Sequence, residues 1–301
     1  MQREHRKGNL RVKTPVGKRT GYGWLAYRLF QALPAHLDAD FYVLPPYDAV
    51  RLYDDLQDGR IKICVCAVDG TEIPQSWVEA GAQFHGIVLM LDHNKFKDKW
   101  DKVIGEFYPA PRTLFVKENS SYSPPQKKIL GTVYTPHYRK NLETIIAVAF
   151  ELYKRKIDAQ IEIVSDPSTA HLWRHYAPPN LTFRYNLKDK EMVEWYLSLW
   201  AFFSFSMGEG GALPAMEAAS LGVPTILPYH TAFKFIPRSV TLQDFKEIPS
   251  QGDPNYAGML HVINPQEFIR VVKENDTLPP PPPIEIEFEN TQWISALDAT
   301  I

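Results

Sequence analysis

Two glutamates stand on either side of a glycine pair in the stretch "GEGGALPAMEAAS". Glu209 and Glu217 have seven residues between them, and these include Gly210, Gly211 and Pro214. Adjacent glycines let a ligand approach the main chain, and a proline suits the first turn of a helix. The free N–H groups and the dipole of such a helix start bind anions, so the stretch predicts a diphosphate site. The two carboxylates would then accept hydrogen bonds from the hydroxyl groups of a sugar and a ribose.

An ordinary glycine turn before a helix is the alternative interpretation, with Glu217 only stabilising the first helical turn. The longer string favours a ligand site, because it resembles the signature of the retaining glycosyltransferases of family 4. Those enzymes have the GT-B fold, in which two Rossmann-like domains face each other across a cleft. The matching positions are Glu209, Gly210, Leu213, Pro214, Glu217, Ala218, Gly222, Val223 and Pro224. One departure is Gly-Gly-Ala at 210–212, where the family usually has Gly-Phe-Gly.

The resemblance implies a role for each acid of this motif. Glu209 would bind the hydroxyl groups of the donor sugar, and Glu217 would bind the ribose of the donor nucleotide. The loop residues expected to bind the donor with them are Gly210, Gly211, Ala212 and Leu213.

Two weaker similarities to the family lie outside this motif. Gly21 and Gly23 resemble the glycine loop that opens the family's first helix near the donor phosphate, although a plain turn has the same pattern. Lys140 matches the lysine that clamps the diphosphate, and the alternative for it is a solvated lysine at a helix start. The usual position of the clamping arginine holds Thr132, so we expect Arg139 to replace that arginine.

Further site residues follow from the resemblance alone. Arg184 and Tyr185 lie where the family's base-binding loop falls. The family places a group of the first domain, often a histidine at a strand end, near the anomeric carbon. His93 follows a predicted strand and is the first candidate, while Asp69 and Glu72 end the preceding strand and compete for the same role.

The resemblance also implies the reaction and its partners. We expect a hexose to pass from a nucleotide diphosphate sugar, such as a UDP-sugar, to a saccharide, a lipid or a modified nucleobase. We expect neither a cofactor nor a metal ion, since protein cations neutralise the leaving diphosphate; "DAD" at Asp38–Asp40 is interpreted as a surface turn. The alternatives are a phage or viral enzyme that glycosylates DNA bases and a non-catalytic binding or scaffold protein.

The elements that would position these residues are short apolar runs alternating with helical patterns. Such alternation predicts an α/β protein with parallel sheets. A polar, proline-containing stretch near 120–128 divides the pattern, giving a first, acceptor-side domain over 1–122 and a nucleotide-sugar-binding domain over 123–278. Residues 279–301 form a proline-rich strap and a terminal helix that we expect to cross back to the first domain.

Composition limits the class of protein. The chain has 301 residues and a formal net charge of −2, which gives no overall attraction to nucleic acid or anionic membrane. The N-terminus lacks the apolar segment of a signal peptide, and Cys64 and Cys66 indicate reduced thiols, so we expect a cytoplasmic protein without integral membrane contact. An apolar stripe over Phe96–Phe107 predicts a helix that packs on the protein, with peripheral membrane contact as the less favoured alternative.

Overall fold

Two sheets of six strands organise the protein. The computed structural model describes residues 3–15, 21–91, 93–97, 100–116, 121–250 and 256–295. The first sheet and the helices around it form the first half of the molecule. Its elements are β1 (Arg3–Lys7), β2 (Leu10–Thr14), α1 (Gly21–Ala32), β3 (Ala39–Val43), α2 (Pro46–Leu52), β4 (Ile61–Cys66), α3 (Gln75–Gly81), β5 (Gly86–Leu89), α4 (His93–Lys97), β6 (Val103–Glu106) and α5 (Thr113–Val116).

The strands of the first sheet are neighbours in chain order, from β1 to β6. The strands β2 to β6 are parallel, and β1 pairs with β2 as an antiparallel hairpin. The parallel strands are apolar runs buried on both faces, as expected when helices cover both sides of a sheet. The sequence does not indicate this hairpin, because the charged residues of β1 have no apolar alternation.

The second half contains the second sheet and a two-stranded antiparallel ribbon of β13 and β14. Its elements are β7 (Lys128–Val133), α6 (Leu142–Lys154), β8 (Ala159–Ser165), α7 (Pro167–Trp173), β9 (Leu181–Tyr185), α8 (Asp189–Ser198), β10 (Ala201–Phe203), α9 (Leu213–Ser220), β11 (Thr225–Pro228), β12 (Val240–Leu242), β13 (Phe245–Pro249), β14 (Met259–Ile263) and α10 (Pro265–Glu274).

The second sheet is parallel throughout, with the order β12-β11-β10-β7-β8-β9. The order reverses between β7 and β10, which are neighbours although β8 and β9 lie between them in the chain. In open α/β sheets, ligands bind beyond the carboxyl ends of the strands at such a reversal. The loops after β7 and β10 are therefore the first place to look for a site.

The end of the chain crosses back to the first half, as predicted. Glu289 accepts a hydrogen bond from Arg28 of α1 through Oε2, at 2.8 Å from Nη2, and its backbone N–H donates to the Tyr108 carbonyl at 2.9 Å. Trp293 is buried against Gly105, where a side chain larger than hydrogen would collide with the indole. The terminal helix predicted over 288–297 is wrong for 288–293, which are not helical; residues 294–295 are helical, and 296–301 fall outside the described residues.

Two local predictions were wrong. The Phe96–Phe107 stripe does not form one helix, because β6 pairs with β5 and the main chain changes to a strand at Val103. Trp100 and Phe107 are buried in the core instead. Asp40 is not in a surface turn: it lies within β3, fully buried.

Helices of the described chain do not reach the combination of length and apolarity that crossing a membrane requires. Cys64 and Cys66 are both buried as free thiols in β4.

Candidate functional site

The order reversal of the second sheet brings together two of the predicted segments. Arg139 and Lys140 end a short 3₁₀ turn after β7, and Glu209 and Gly210 lie in the loop after β10. The Met207 N–H donates to the Arg139 carbonyl at 2.7 Å, which joins the two loops directly. The fold thus places predicted donor-binding residues from separate parts of the sequence at one sheet edge.

Four charged side chains meet at this edge. Lys140 Nζ donates to Glu209 Oε1, and Arg139 Nη1 lies 3.5 Å from Glu209 Oε2. Arg139 Nη2 is also 2.6 Å from Asp69 Oδ2, and Asp69 follows β4 in the first half. Two cations and two carboxylates therefore form one network, which we call the charged cluster: Asp69, Arg139, Lys140 and Glu209.

The cluster changes the pKa values of its members. Burial would raise the pKa of Glu209, but Lys140 and Arg139 outweigh it and hold that pKa at about 2. Burial raises the pKa of Asp69 despite the opposing field of Arg139. Burial lowers the pKa of Lys140, and Glu209 opposes this change. Strongly perturbed titratable groups that lie in a cleft between two halves are typical of functional sites.

The glycines of the motif allow the two halves to approach each other. A Cβ on Gly210 would stand 2.6 Å from the Ala67 Cβ and 2.8 Å from Asp69 Oδ1. A Cβ on Gly211 would stand 2.4 Å from the Met90 Cε. The sequence suggested that these glycines make room for a ligand, whereas in this structure residues of the first half fill that space.

The main chain of Glu209 is held from both sides by the segment after β11. Its N–H donates to Thr231 Oγ1 at 3.0 Å, and its carbonyl accepts from the Ala232 N–H at 2.9 Å. Thr231 has φ +42°, an unusual conformation for a β-branched residue. Thr231 was not among the predicted site residues, because no spacing or motif in the sequence ties it to Glu209.

Helix α9 begins directly after the glycines, as predicted. Ala212 is its N-cap with φ +46°, a conformation that glycine adopts more easily. The family's usual glycine at this position fits that backbone. Among the described residues, the N–H groups of Gly211, Ala212 and Leu213 have no acceptor. All three residues are buried in this structure, so an anion would reach these N–H groups only after the neighbouring residues of the first half move away.

Glu217 lies in α9 with only 3 % of its surface exposed, and both of its oxygens have partners. Arg112 Nε is 2.8 Å from Oε1, and the Tyr196 hydroxyl donates to Oε2 at 2.9 Å. A ribose hydroxyl would have to replace or join these partners. The structure does not bring Glu217 into the charged cluster.

Arg184 also lies outside the charged cluster. It forms a two-point ion pair with Glu162 of β8, with nitrogen–oxygen distances of 2.7 and 2.8 Å. The Trp195 indole N–H donates to the same carboxylate at 2.9 Å. Arg184 is thus held at the end of β9, with half of its side chain exposed.

The start of α1 reaches the cleft through Tyr22. Helix α1 begins at Gly21, and Gly23 lies in its first turn. The Tyr22 hydroxyl accepts from the Ala67 N–H at 3.3 Å, two residues before Asp69. Residues 16–20, which precede this helix, lie outside the described residues.

The three candidates for the group near the anomeric carbon differ in position. Asp69 belongs to the charged cluster. Glu72 is exposed, and its backbone bridges to Ala257 rather than to the cluster. His93 is the first residue of α4, and its side chain lies outside the described part of the structure.

A cavity of about 310 Å³ borders the charged cluster on the first-half side. Asp69 and Arg139 form one wall, and the remaining lining includes Tyr22, Trp77 and His137. Its size is at the lower end of the range for small-molecule sites. Asp69 and Arg139 are thus the two members of the charged cluster that border this cavity.

A second group of carboxylates has a structural explanation. Oxygens of Asp40, Asp55 and Asp58 lie within 4.8 Å of one another. Arg11 bonds to both Asp40 and Asp58, and Lys13 bonds to both Asp40 and Asp55. Protein cations thus occupy the positions where a metal ion would bind.

No protein-family model matches the sequence, and no curated protein is significantly similar to it. Solved structures do match. A variant of S. aureus TarM in complex with fondaparinux, alpha-GlcNAc-glycerol and UDP matches with TM-score 0.55 and 16 % identity over 85 % of this chain and 52 % of that chain. Another TarM structure has TM-score 0.52 and 13 % identity over 74 % and 48 % of the two chains.

The pneumococcal O-GlcNAc transferase GtfA in complex with UDP and GlcNAc matches with TM-score 0.50 and 12 % identity, over 79 % of this chain and 49 % of that chain. The chain spans about half the length of these proteins. Likeness at these identities shows a shared fold.

Proposed function

The chain has the GT-B fold, and we propose that it is a retaining glycosyltransferase that moves a hexose from a UDP-sugar to an acceptor. One observation carries the proposal. Arg139, Lys140 and Glu209 meet at the order reversal of the second sheet, beside the N–H groups that open α9. The cations and the backbone amides would bind a diphosphate. The Glu209 carboxylate would bind the sugar attached to that diphosphate.

The reaction breaks the bond between the anomeric carbon and the diphosphate. Negative charge grows on the leaving diphosphate, so preorganised positive groups lower the barrier most. Arg139 and Lys140 supply full charges, and the N–H groups of Gly211, Ala212 and Leu213 supply oriented dipoles. Because these protein groups neutralise the leaving group, the proposed reaction requires no metal ion.

The substrate roles extend the same proposal. UDP is the proposed nucleotide because the TarM variant and GtfA are both described in complex with UDP. Glu209 would accept hydrogen bonds from donor-sugar hydroxyls once Lys140 shifts toward the phosphate. His93 and Glu72 remain candidates, with Asp69, for the group near the anomeric carbon. Glu217 and Arg184 remain candidates for binding the nucleoside.

The test measures donor binding and donor breakdown separately. We expect UDP and UDP-hexoses to raise the melting temperature, because a ligand that binds only the folded state stabilises it. The wild type should release UDP from one UDP-hexose by slow transfer to water, and Lys140→Met should lose both binding and release. EDTA should leave the rate unchanged, and an α-linked product from an α-linked donor would establish retention.

Matched controls separate this function from its rivals. Lys190→Met removes an exposed lysine of α8 and should behave like the wild type. If the protein binds donors without catalysis, the wild type should bind UDP but form no UDP from any UDP-sugar. Glu209→Gln should then show the same absence of UDP formation. Absence of UDP and UDP-sugar binding in the folded wild type would overturn the proposal.

A further inference from the structure

The Asp69 carboxylate occupies two donors that an anion site would offer to a phosphate. Its Oδ2 is 2.6 Å from Arg139 Nη2, and its Oδ1 accepts from the Gly210 N–H at 2.5 Å. Arg139 follows β7 and Gly210 follows β10, so the carboxylate reaches across from the first half into the order reversal of the second sheet.

We propose that Asp69 is a built-in competitor for the donor's diphosphate, so that donor binding requires its carboxylate to leave Arg139 and Gly210. The inference rests on the proposed function, because it takes a diphosphate as the ligand of this site. It assigns Asp69 a role in setting donor affinity, in addition to any role at the reacting sugar.

The charges around Asp69 explain the competition. Two cations, Arg139 and Lys140, face two carboxylates, Asp69 and Glu209, so the charged cluster is balanced without a ligand. Burial raises the pKa values of the nearby Tyr22 and Tyr256 phenols, and Asp69 lies close enough to raise them further. A diphosphate entering this balanced cluster meets a fixed negative charge at close range, and burial makes that repulsion strong.

The same contact holds the two halves together. Asp69 belongs to the first half, whereas both of its partners belong to the second. Its main chain takes part as well, since a Cβ on Gly208 would stand 2.6 Å from the Asp69 carbonyl oxygen. Displacement of the carboxylate by a phosphate would therefore remove one tie between the halves at the moment when the donor enters.

The experiment compares the affinities of UDP and inorganic pyrophosphate for folded variants by calorimetry. Asp69→Asn keeps an oxygen for the Gly210 N–H and removes the charge, so we expect both ligands to bind about tenfold more tightly. Asp69→Glu keeps the charge and should show no gain. Glu79→Gln removes an exposed carboxylate of α3 in the same half and should leave both affinities within about twofold of the wild type.

A second measurement separates competition from a purely structural role. Without ligand, Asp69→Asn should melt below the wild type, because it loses an ion pair between the halves; with saturating UDP its stabilisation should exceed that of the wild type. Asp69→Ser serves the same comparison if the asparagine variant fails to fold. Equal or weaker binding by either folded variant overturns the inference while the proposed function stands. Absence of binding by the wild type overturns the proposed function first.

Discussion

Arg112 of the first half places its Nε 2.8 Å from Oε1 of Glu217, the second glutamate of the motif. Arg112 precedes α5, and Thr113 beside it shares a 2.6 Å hydrogen bond with Ser220 of α9. The residue that the motif assigns to a nucleotide thus also joins the two halves. A change of Glu217 should therefore alter stability, and under the proposed function it should alter donor binding as well.

Arg112→Met should lower the free energy of unfolding by about 3 kcal/mol, because it leaves the buried Glu217 carboxylate with Tyr196 as its partner. Urea unfolding would measure the change. Arg6→Met, which removes an exposed arginine paired with Glu4, should cost less than about 0.5 kcal/mol. Equal losses in the two variants would contradict a stabilising contact between Arg112 and Glu217.

Lys140 and Glu209 should show strong coupling in a double-mutant cycle. Lys140→Met leaves a buried carboxylate and Glu209→Gln leaves a buried ammonium, so each should cost about 3 kcal/mol. The double variant should regain much of that stability, because neither charge remains. It should still fail to bind UDP, which calorimetry can check. Additive losses of stability would show that the two groups act independently.

Acid should destabilise the protein through His230 before it affects Glu209. Burial, with help from the stacked ring of His261 at 4.3 Å, lowers the pKa of His230 to about 3. Between pH 6.5 and 4.5 the unfolded chain binds a proton that the folded protein excludes, so the stability present above pH 6.5 is lost as the pH falls.

His230 should make the free energy of unfolding fall by about 1.4 kcal/mol for each unit by which the pH is lowered in this range. His230→Asn should reduce the slope of the free energy of unfolding against pH by that amount. Urea unfolding at several pH values measures it. His36→Asn changes an exposed histidine and should keep the wild-type profile. A profile that is unchanged in His230→Asn would show that His230 does not titrate with unfolding.

Lys156→Gly should stabilise the protein by about 1 kcal/mol. Lys156 follows the end of α6 with φ +55°, and its N–H donates to the Tyr153 carbonyl, a helix ending that glycine prefers. Ala147→Gly places glycine at an exposed interior position of the same helix and should destabilise by a similar amount. Thermal unfolding would show opposite shifts in the two variants, and shifts of the same sign would contradict this explanation.

Much of the fold followed from local patterns, because the runs at 61–66, 86–89 and 159–165 are short and rich in β-branched residues, which favours buried strands over helices. The segment over 96–107 defeated the same reasoning. The same spacing of apolar residues arises when a short helix, here α4, is followed by a strand, here β6, and each buries some of its side chains. Pairing with β5 then decides the outcome, and that partner is distant in sequence.

A contiguous motif made Glu209 and Gly210 candidate site residues, and the structure places both at the order reversal of the second sheet. The contacts of Asp69 and Thr231 were not predictable, because they depend on how loops from four different strands converge. Asp69 was a candidate for its place after a strand, but nothing in the sequence places its carboxylate on Arg139 and Gly210. Prediction of such contacts needs the packing of one half on the other.

The polypeptide passes between the halves near 121–127 and again near 279–283. Beyond the second crossing, the ion pair between Arg28 and Glu289 holds the returning segment on the first half. With a single connection, one half could rotate relative to the other in any direction. Two connections restrict that rotation to a hinge axis that passes through both of them. The cleft between the halves should therefore open by rotation about that one axis. Shortening the proline segment at 279–283 would reduce the largest opening angle.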